Sequence, residues 1–191
     1  MTQGPGGRIK GAVLISRLDL IRKKGGEQAL RQVLARLGEA ERQVLGGLLV
    51  RVGWYPLELH LRLDEAIADV LSPGDPSRIF LEMGRASADK NLNGPQAPFV
   101  KKGDPHFLLR HAPHIYSAYH DTGRRTYEKT GERSAILRTF DAEVVDAKDC
   151  LTTVGWIEKA LEISGTREPR VTETLCRARG DAHCEYHLSW S

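Results

Sequence analysis

Three cysteines and one glutamate carry the clearest chemistry in this chain of 191 residues. Cys176 and Cys184 lie symmetrically about Gly180, so a regular hairpin turning there sets their side chains opposite each other on one face. Cys150, near the first turn of a preceding helix, would have its thiolate favoured by the helix dipole and by a metal ion. Three thiolates suit a closed structural zinc site, which takes four ligands in a tetrahedron and accepts a carboxylate among them. Glu173 is the nearest acid upstream of Cys176. In a regular strand, however, Glu173 and Cys176 point to opposite faces, so the glutamate needs a bulge or a twisted strand start to reach the metal, and His183 is the alternative ligand. A thiolate-rich set leaves no open position for a water, so catalysis at this metal is not expected.

A second constellation gathers His106, His111, His114 and His120 with Phe107, Tyr116 and Tyr119. No pair of these histidines has the i, i+4 spacing of a helical ligand set, and Pro113 interrupts the frame, which argues against a metal. The better functional reading is a mostly apolar ligand pocket with a few polar groups, for which Phe107, His111, His114, Tyr116, Tyr119 and His120 are the candidates. Aromatic residues at helical spacing also serve simply as core or interface.

The elements that position these residues follow from periodicity. Ile9 to Ile15 reads as a short strand and Ser16 to Lys24 as a helix stopped by Gly25-Gly26. Leu30, Val33, Leu34 and Leu37 make one apolar helical face, and Val44, Leu45, Leu48 and Leu49 a second, so the two form a helical hairpin. Gly53-Trp54-Tyr55-Pro56 interrupts the pattern before a helix with Leu59, Leu63, Ile67 and Val70 on its apolar face, and another helix spans Ser77 to Leu92. Gly84 and Ala86-Ser87-Ala88 within it either let two helices approach closely or simply reflect helix composition, the second being the preferred reading. Residues 93–105 carry three prolines and two glycines and form a loop or lid. His106 to His120 is helical with a kink or break at Pro113, Arg124 to Phe140 a hairpin turning near Thr130-Gly131, and Asp146 to Asp149 the capping box of a helix burying Val154, Ile157 and Leu161. Two strands joined around Gly180-Asp181 close the chain. The fold class is α+β, one domain over residues 1–191. It has a flexible start at 1–8, a mainly helical part at 9–105 packed on an antiparallel sheet, and the zinc-pinned hairpin within 106–191.

Composition narrows the function classes. Against 28 Lys and Arg stand 25 Asp and Glu, interleaved along the chain for a net charge of +3, with no basic stripe for nucleic acid. No apolar run approaches the ~20 residues of a membrane span, and the Gly-rich start has no signal core, so a cytoplasmic setting is expected. An odd cysteine count fits a disulfide framework poorly.

Glu173-Thr-Leu-Cys176 followed by Arg-Ala-Arg-Gly-Asp-Ala-His-Cys184-Glu-Tyr-His-Leu, with Cys150 upstream, resembles the closing signature of the 4-vinyl reductase-type domain. The resemblance is close over residues 120–190 and looser before them, where the chain is similar to a short stand-alone bacterial branch. It implies that Cys150, Glu173, Cys176 and Cys184 bind structural zinc, as in the sensor domains of aromatic-catabolism activators. The fold is also similar to ligand-binding domains of nitric-oxide signalling and to Golgi transport-particle subunits, where dimers are common. Aromatic sensing is not inherited, because this chain has no tryptophan between Trp54 and Trp156. What the resemblance implies is a non-enzymatic sensor or regulatory domain that binds a small apolar ligand, forms a homodimer and passes its output to a protein partner. The alternative is a dimeric adaptor or scaffold without a functional pocket. An enzyme ranks last, since the sequence has no nucleophile elbow, phosphate loop, dinucleotide fingerprint or paired catalytic acids.

Overall fold

The computed structural model describes residues 6–143 and 146–191. Strand β1 (Arg8–Lys10) leads directly into the long helix α1 (Gly11–Leu34), followed by α2 (Glu39–Gly46), β2 (Trp54–Pro56), α3 (Leu57–Leu71) and α4 (Pro76–Leu92). Helix α5 (Pro105–Tyr119) precedes the hairpin β3 (Arg124–Gly131) and β4 (Ser134–Phe140), helix α6 (Ala147–Ile163), and the closing strands β5 (Arg170–Leu175) and β6 (His183–Ser189). The architecture is α+β: β1 and β2 pair as a small ribbon, and an antiparallel sheet of order β3-β4-β6-β5 carries α5 and α6. No helix among the described residues is long and apolar enough to cross a membrane.

Several expectations from sequence need correction. The segment 9–15 is mostly helix: Gly11 already begins α1, because β1 is ended by its short pairing with β2, Arg8 opposite Pro56 and Lys10 opposite Trp54. Gly25-Gly26 does end the first helical segment: Gly26 sits at φ 65°, outside helical geometry, and a second segment continues at an angle to Leu34, so α1 is two helices joined across a kink. Of the expected flexible start at 1–8, residues 1–5 lie outside the described residues, whereas Arg8 is fixed in β1 and salt-bridged to Asp121 at 2.6 Å. The second face of the expected helical hairpin is not buried as a unit: Leu45 is buried, but Val44 is 40% and Leu48 92% exposed, since α2 ends at Gly46. Pro113 breaks nothing, and α5 runs through it without interruption.

The sheet and the helical part are tied through α4 and α6. A Cβ added at Gly84 would lie 2.0 Å from the carbonyl oxygen of Thr152, and one at Gly155 2.1 Å from that of Leu81. Both glycines are therefore packing positions that let two backbones touch, so for Gly84 close helix approach holds in place of the preferred composition reading. One apolar cluster, with Leu14, Ile21, Leu63, Ile67, Phe80 and Met83, fills the helical half. A second, with Leu109, Leu137, Ile157, Leu161, Tyr186 and Leu188, lies between α5, α6 and the sheet.

Candidate functional site

A chamber opens where the two halves meet. The helical side supplies Arg17 from α1, His60 from α3 and Ser87 and Asn91 from α4; the sheet side supplies Tyr116 and Tyr119 from α5, then His120, Arg125 of β3, and Thr152, Thr153 and Trp156 of α6. It consists of two adjoining cavities of about 100 and 90 Å³ that share His60, Tyr116, His120, Arg125, Thr152 and Thr153.

Its helical wall is built on a buried ion pair. Arg17 and Asp64 are both fully buried and form a two-pronged bond, Nε to Oδ1 at 2.8 Å and Nη2 to Oδ2 at 3.0 Å. The remaining Arg17 nitrogen, Nη1, donates to Ser87 Oγ at 2.7 Å and to the Met83 carbonyl at 3.1 Å. Every prong of the guanidinium is thus satisfied, which is what makes burial of the charge tolerable. One turn before Asp64, His60 holds its Nε2 3.6 Å from Asp64 Oδ2, beyond hydrogen-bond range, while its Nδ1 is buried with no partner among the described residues. Burial pushes the His60 pKa down to about 4 despite Asp64, so the imidazole is neutral at physiological pH.

On the sheet side, the end of α5 turns Tyr116 and His120 into a stack, ring centroids 4.4 Å apart and nearly parallel, and Tyr116 Oη donates to the Thr122 carbonyl at 3.0 Å. An isolated bridge between Ile9 and His120 pins this corner to β1. Burial, with Arg125 second, lowers the His120 pKa to about 3. Arg125 donates from Nε to Thr139 Oγ1 at 3.1 Å and lies 4.8 Å from the Tyr116 ring centroid, with no carboxylate paired to it among the described residues.

The pocket expected from sequence is therefore half assembled. Tyr116, Tyr119 and His120 line it. Phe107, His111 and His114 do not: His111 and His114 pack on Phe99 at 4.7 and 5.4 Å, and Phe107 on His111, in a separate aromatic cluster. α5 is continuous through Pro113, and these three side chains lie outside the lining of the chamber. His106 is held by Tyr127 Oη at 2.7 Å and the Glu132 carbonyl at 2.9 Å. Sequence reading missed Arg17, His60, Asp64, Ser87 and Arg125. The available signal was His60 and Asp64 at i, i+4 on the same apolar face as Leu63 and Ile67.

The second cavity reaches Cys150, Cys184 and Tyr186. Here the four side chains read from sequence do converge: the ligand atoms of Cys150, Glu173, Cys176 and Cys184 all lie within 4.8 Å of one another. Cys150 Sγ is 3.6 Å from Cys176 Sγ and 3.8 Å from Cys184 Sγ. The parity obstacle is removed by a register shift between Glu173 and Leu175 in the β5–β6 pairing. Glu173 Oε1 is buried without a partner, whereas Oε2 accepts from Arg179 at 3.0 Å. The hydrogen bond from Cys150 lowers the Cys184 pKa to about 6, and its counterpart raises that of Cys150. His183 is not part of this group; it stacks on Phe140 at 4.7 Å.

Residues 26–191 match the family described as "Protein of unknown function (DUF2378)". The chain belongs to that family. The 4-vinyl reductase-type label is thereby replaced as the family of this DUF2378 chain. No curated protein matches it. Among solved structures it is similar to an H-NOX protein from S. oneidensis in the Fe(II)NO ligation state, with TM-score 0.74 and 13% identity over 96% of this chain and 99% of that one. It is also similar to the Fe(II) unliganded H-NOX protein from K. algicida (TM-score 0.66, 13% identity, 96% and 97% covered). A chain solved to study heme redox potential modulated through porphyrin distortion gives TM-score 0.69 at 11% identity, with 95% and 99% covered. The DUF2378 chain thus has the H-NOX fold, as the sequence likeness to nitric-oxide signalling domains anticipated.

These neighbours overturn the expected structural zinc, because the cofactor that their descriptions point to is heme. Heme in turn can be tested against the chamber. The orphaned Nδ1 of His60 is the kind of donor an axial position uses. The volume is not: a cavity of about 150 Å³ takes a single benzene ring, and neither cavity here reaches that size. A tetrapyrrole does not fit the chamber as the chain is folded.

Proposed function

We propose that this DUF2378 chain is a non-enzymatic sensory domain whose chamber binds a molecule much smaller than heme. The observation that carries the reading is His60, a buried neutral imidazole with one nitrogen unpartnered in a cavity. A buried polar atom without a partner costs about 1–3 kcal/mol, and a ligand that satisfies it recovers that cost. The H-NOX likeness supports the reading at the level of fold. The chamber is walled by both halves of the molecule, so a ligand touching His60 and Arg125 together acts on their relative packing, and a protein partner reads the population shift.

The test is a thermal-shift screen of small molecules of one ring or fewer. A stabiliser whose effect disappears in His60→Leu supports the chamber; a screen in which nothing stabilises the wild type removes the basis of the proposal. Hemin titration, read by Soret absorbance, is the control arm, and no stoichiometric band is expected.

The same reading takes Cys150, Glu173, Cys176 and Cys184 as a metal-ligating set that fastens α6 to the β5–β6 hairpin beneath the second cavity. Its support is the convergence of the four donors and the unpartnered Glu173 oxygen. Elemental analysis of the purified chain and of Cys184→Ser tests it, with a metal content near stoichiometry that falls in the variant as the expected result.

The second reading, a homodimeric adaptor, is favoured by one feature: Leu48, Val50 and Val52 stand 92%, 48% and 75% exposed on the segment after α2. Sedimentation of the wild type and of Leu48→Glu decides it.

A further inference from the structure

The charges around the first cavity are one-sided. Arg17 and Arg125 line it, and among the described residues no aspartate or glutamate does. Arg17 is neutralised from behind by Asp64 at 2.8 Å. Arg125 has no such partner: its contacts are the Thr139 hydroxyl and the face of Tyr116. A guanidinium does not lose its charge in proteins, and holding it beside a cavity without an anion leaves its Coulomb energy unused. His60, with Nδ1 unpartnered, and the half-buried His120 are neutral and supply no counter-charge.

The rest of the wall is apolar. Ile9, Val13, Ala112, Ile115 and Trp156 face the same space. At about 100 Å³ it is smaller than the cavity that holds benzene. A polar end near Arg125, an apolar remainder and a small volume together define a chemical class.

We infer that the first cavity binds a short-chain organic anion, a monocarboxylate, with its carboxylate facing Arg125 and its alkyl body against Val13, Ala112 and Ile115. This rests on the chamber being the ligand site. His60 Nδ1, as the N–H tautomer, supplies a second donor to the carboxylate, and the bond removes the orphaned atom. Glu143 and Asp149 line only the second cavity, so the anion occupies the first.

The experiment is isothermal titration calorimetry on the full chain with four probes smaller than benzene at matched ionic strength: sodium propionate, n-propanol, propylamine and sodium nitrate. Propionate is expected to bind, and to bind more tightly than its neutral and cationic analogues and than the inorganic anion. Arg125→Gln should weaken propionate by roughly tenfold or more, and Arg125→Lys, which keeps the charge but not the fork, by less. Melting curves of the unliganded variants show whether each is folded, and the comparison of probes on the wild type holds whether or not they are. Propanol or propylamine binding as tightly as propionate overturns the anion class while leaving the chamber as a ligand site. Nitrate binding as tightly as propionate overturns the organic part. Binding by none of the four overturns this inference, whereas the chamber itself stands or falls with the broader thermal-shift screen.

Discussion

His60 makes the stability of this chain depend on pH in a calculable way. Its folded pKa is about 4 against 6.5 for a free histidine, chiefly because burial penalises the imidazolium. Between those two values the unfolded chain binds a proton that the folded chain refuses, so stability rises with pH through the window and is lost as pH falls from 6.5 towards 4. Each pH unit is worth about 1.4 kcal/mol, giving about 3 kcal/mol across the window for this one residue. Other groups titrate there too. His120, also lowered, adds in the same direction; Asp149, which burial and Asp64 raise to about 7, opposes it. The measurement is therefore a difference: urea unfolding of the wild type and of His60→Leu from pH 4.5 to 7.5, in which Asp149 cancels and His120 enters only through its charge coupling to His60. The gap between the two chains should grow in favour of the wild type by about 1.4 kcal/mol per pH unit up to pH 6.5 and then level off. A gap independent of pH would refute the claim that His60 is buried neutral in the chamber wall.

Breaking the Arg17–Asp64 pair from one side, as in Asp64→Asn or Arg17→Leu, should cost about 3–5 kcal/mol by urea unfolding, because it strands a buried charge. Replacing both with apolar residues should cost less than either single change. Gly84→Ala pushes a methyl into the Thr152 carbonyl and should destabilise by about 1–3 kcal/mol in thermal melts, as should Gly155→Ala against Leu81. By contrast, His114→Ala, in the aromatic cluster outside the chamber, should leave small-molecule stabilisation unchanged; its loss in that variant would put the pocket in the wrong place.

What sequence could show was set by distance along the chain. The amphipathic face of α3, the helical span of α4 and the hairpins are local patterns, and they were legible. The convergence of Cys150, Glu173, Cys176 and Cys184 was legible because three of them sit on one hairpin, and the required bulge could be named in advance. Arg17 was not, since its partners Asp64 and Ser87 are 47 and 70 residues away and a lone arginine in an amphipathic helix reads as solvated surface. Arg125 was not legible either, since a basic side chain in an alternating strand pattern carries no sign of the cavity it lines. Pro113 suggested a break because its helix-breaking tendency is local, while α5 stays continuous where it packs against β1 and β3. The metal identity failed differently: ligand types describe what a site can hold, and the comparison of folds pointed to another cofactor, which the chamber volume then excluded.

The seam between α4 and α6 limits how such a domain can move. With Gly84 and Gly155 seated against opposing carbonyls, the two helices are keyed to each other, and sliding one along the other would drive the next, larger side chains into backbone. Shear is closed to this pair. Arg17 and His60 stand on α1 and α3 and Arg125 on β3, so a ligand that touches all three bridges the elements on either side of the keyed pair and bears on their packing rather than on the seam itself.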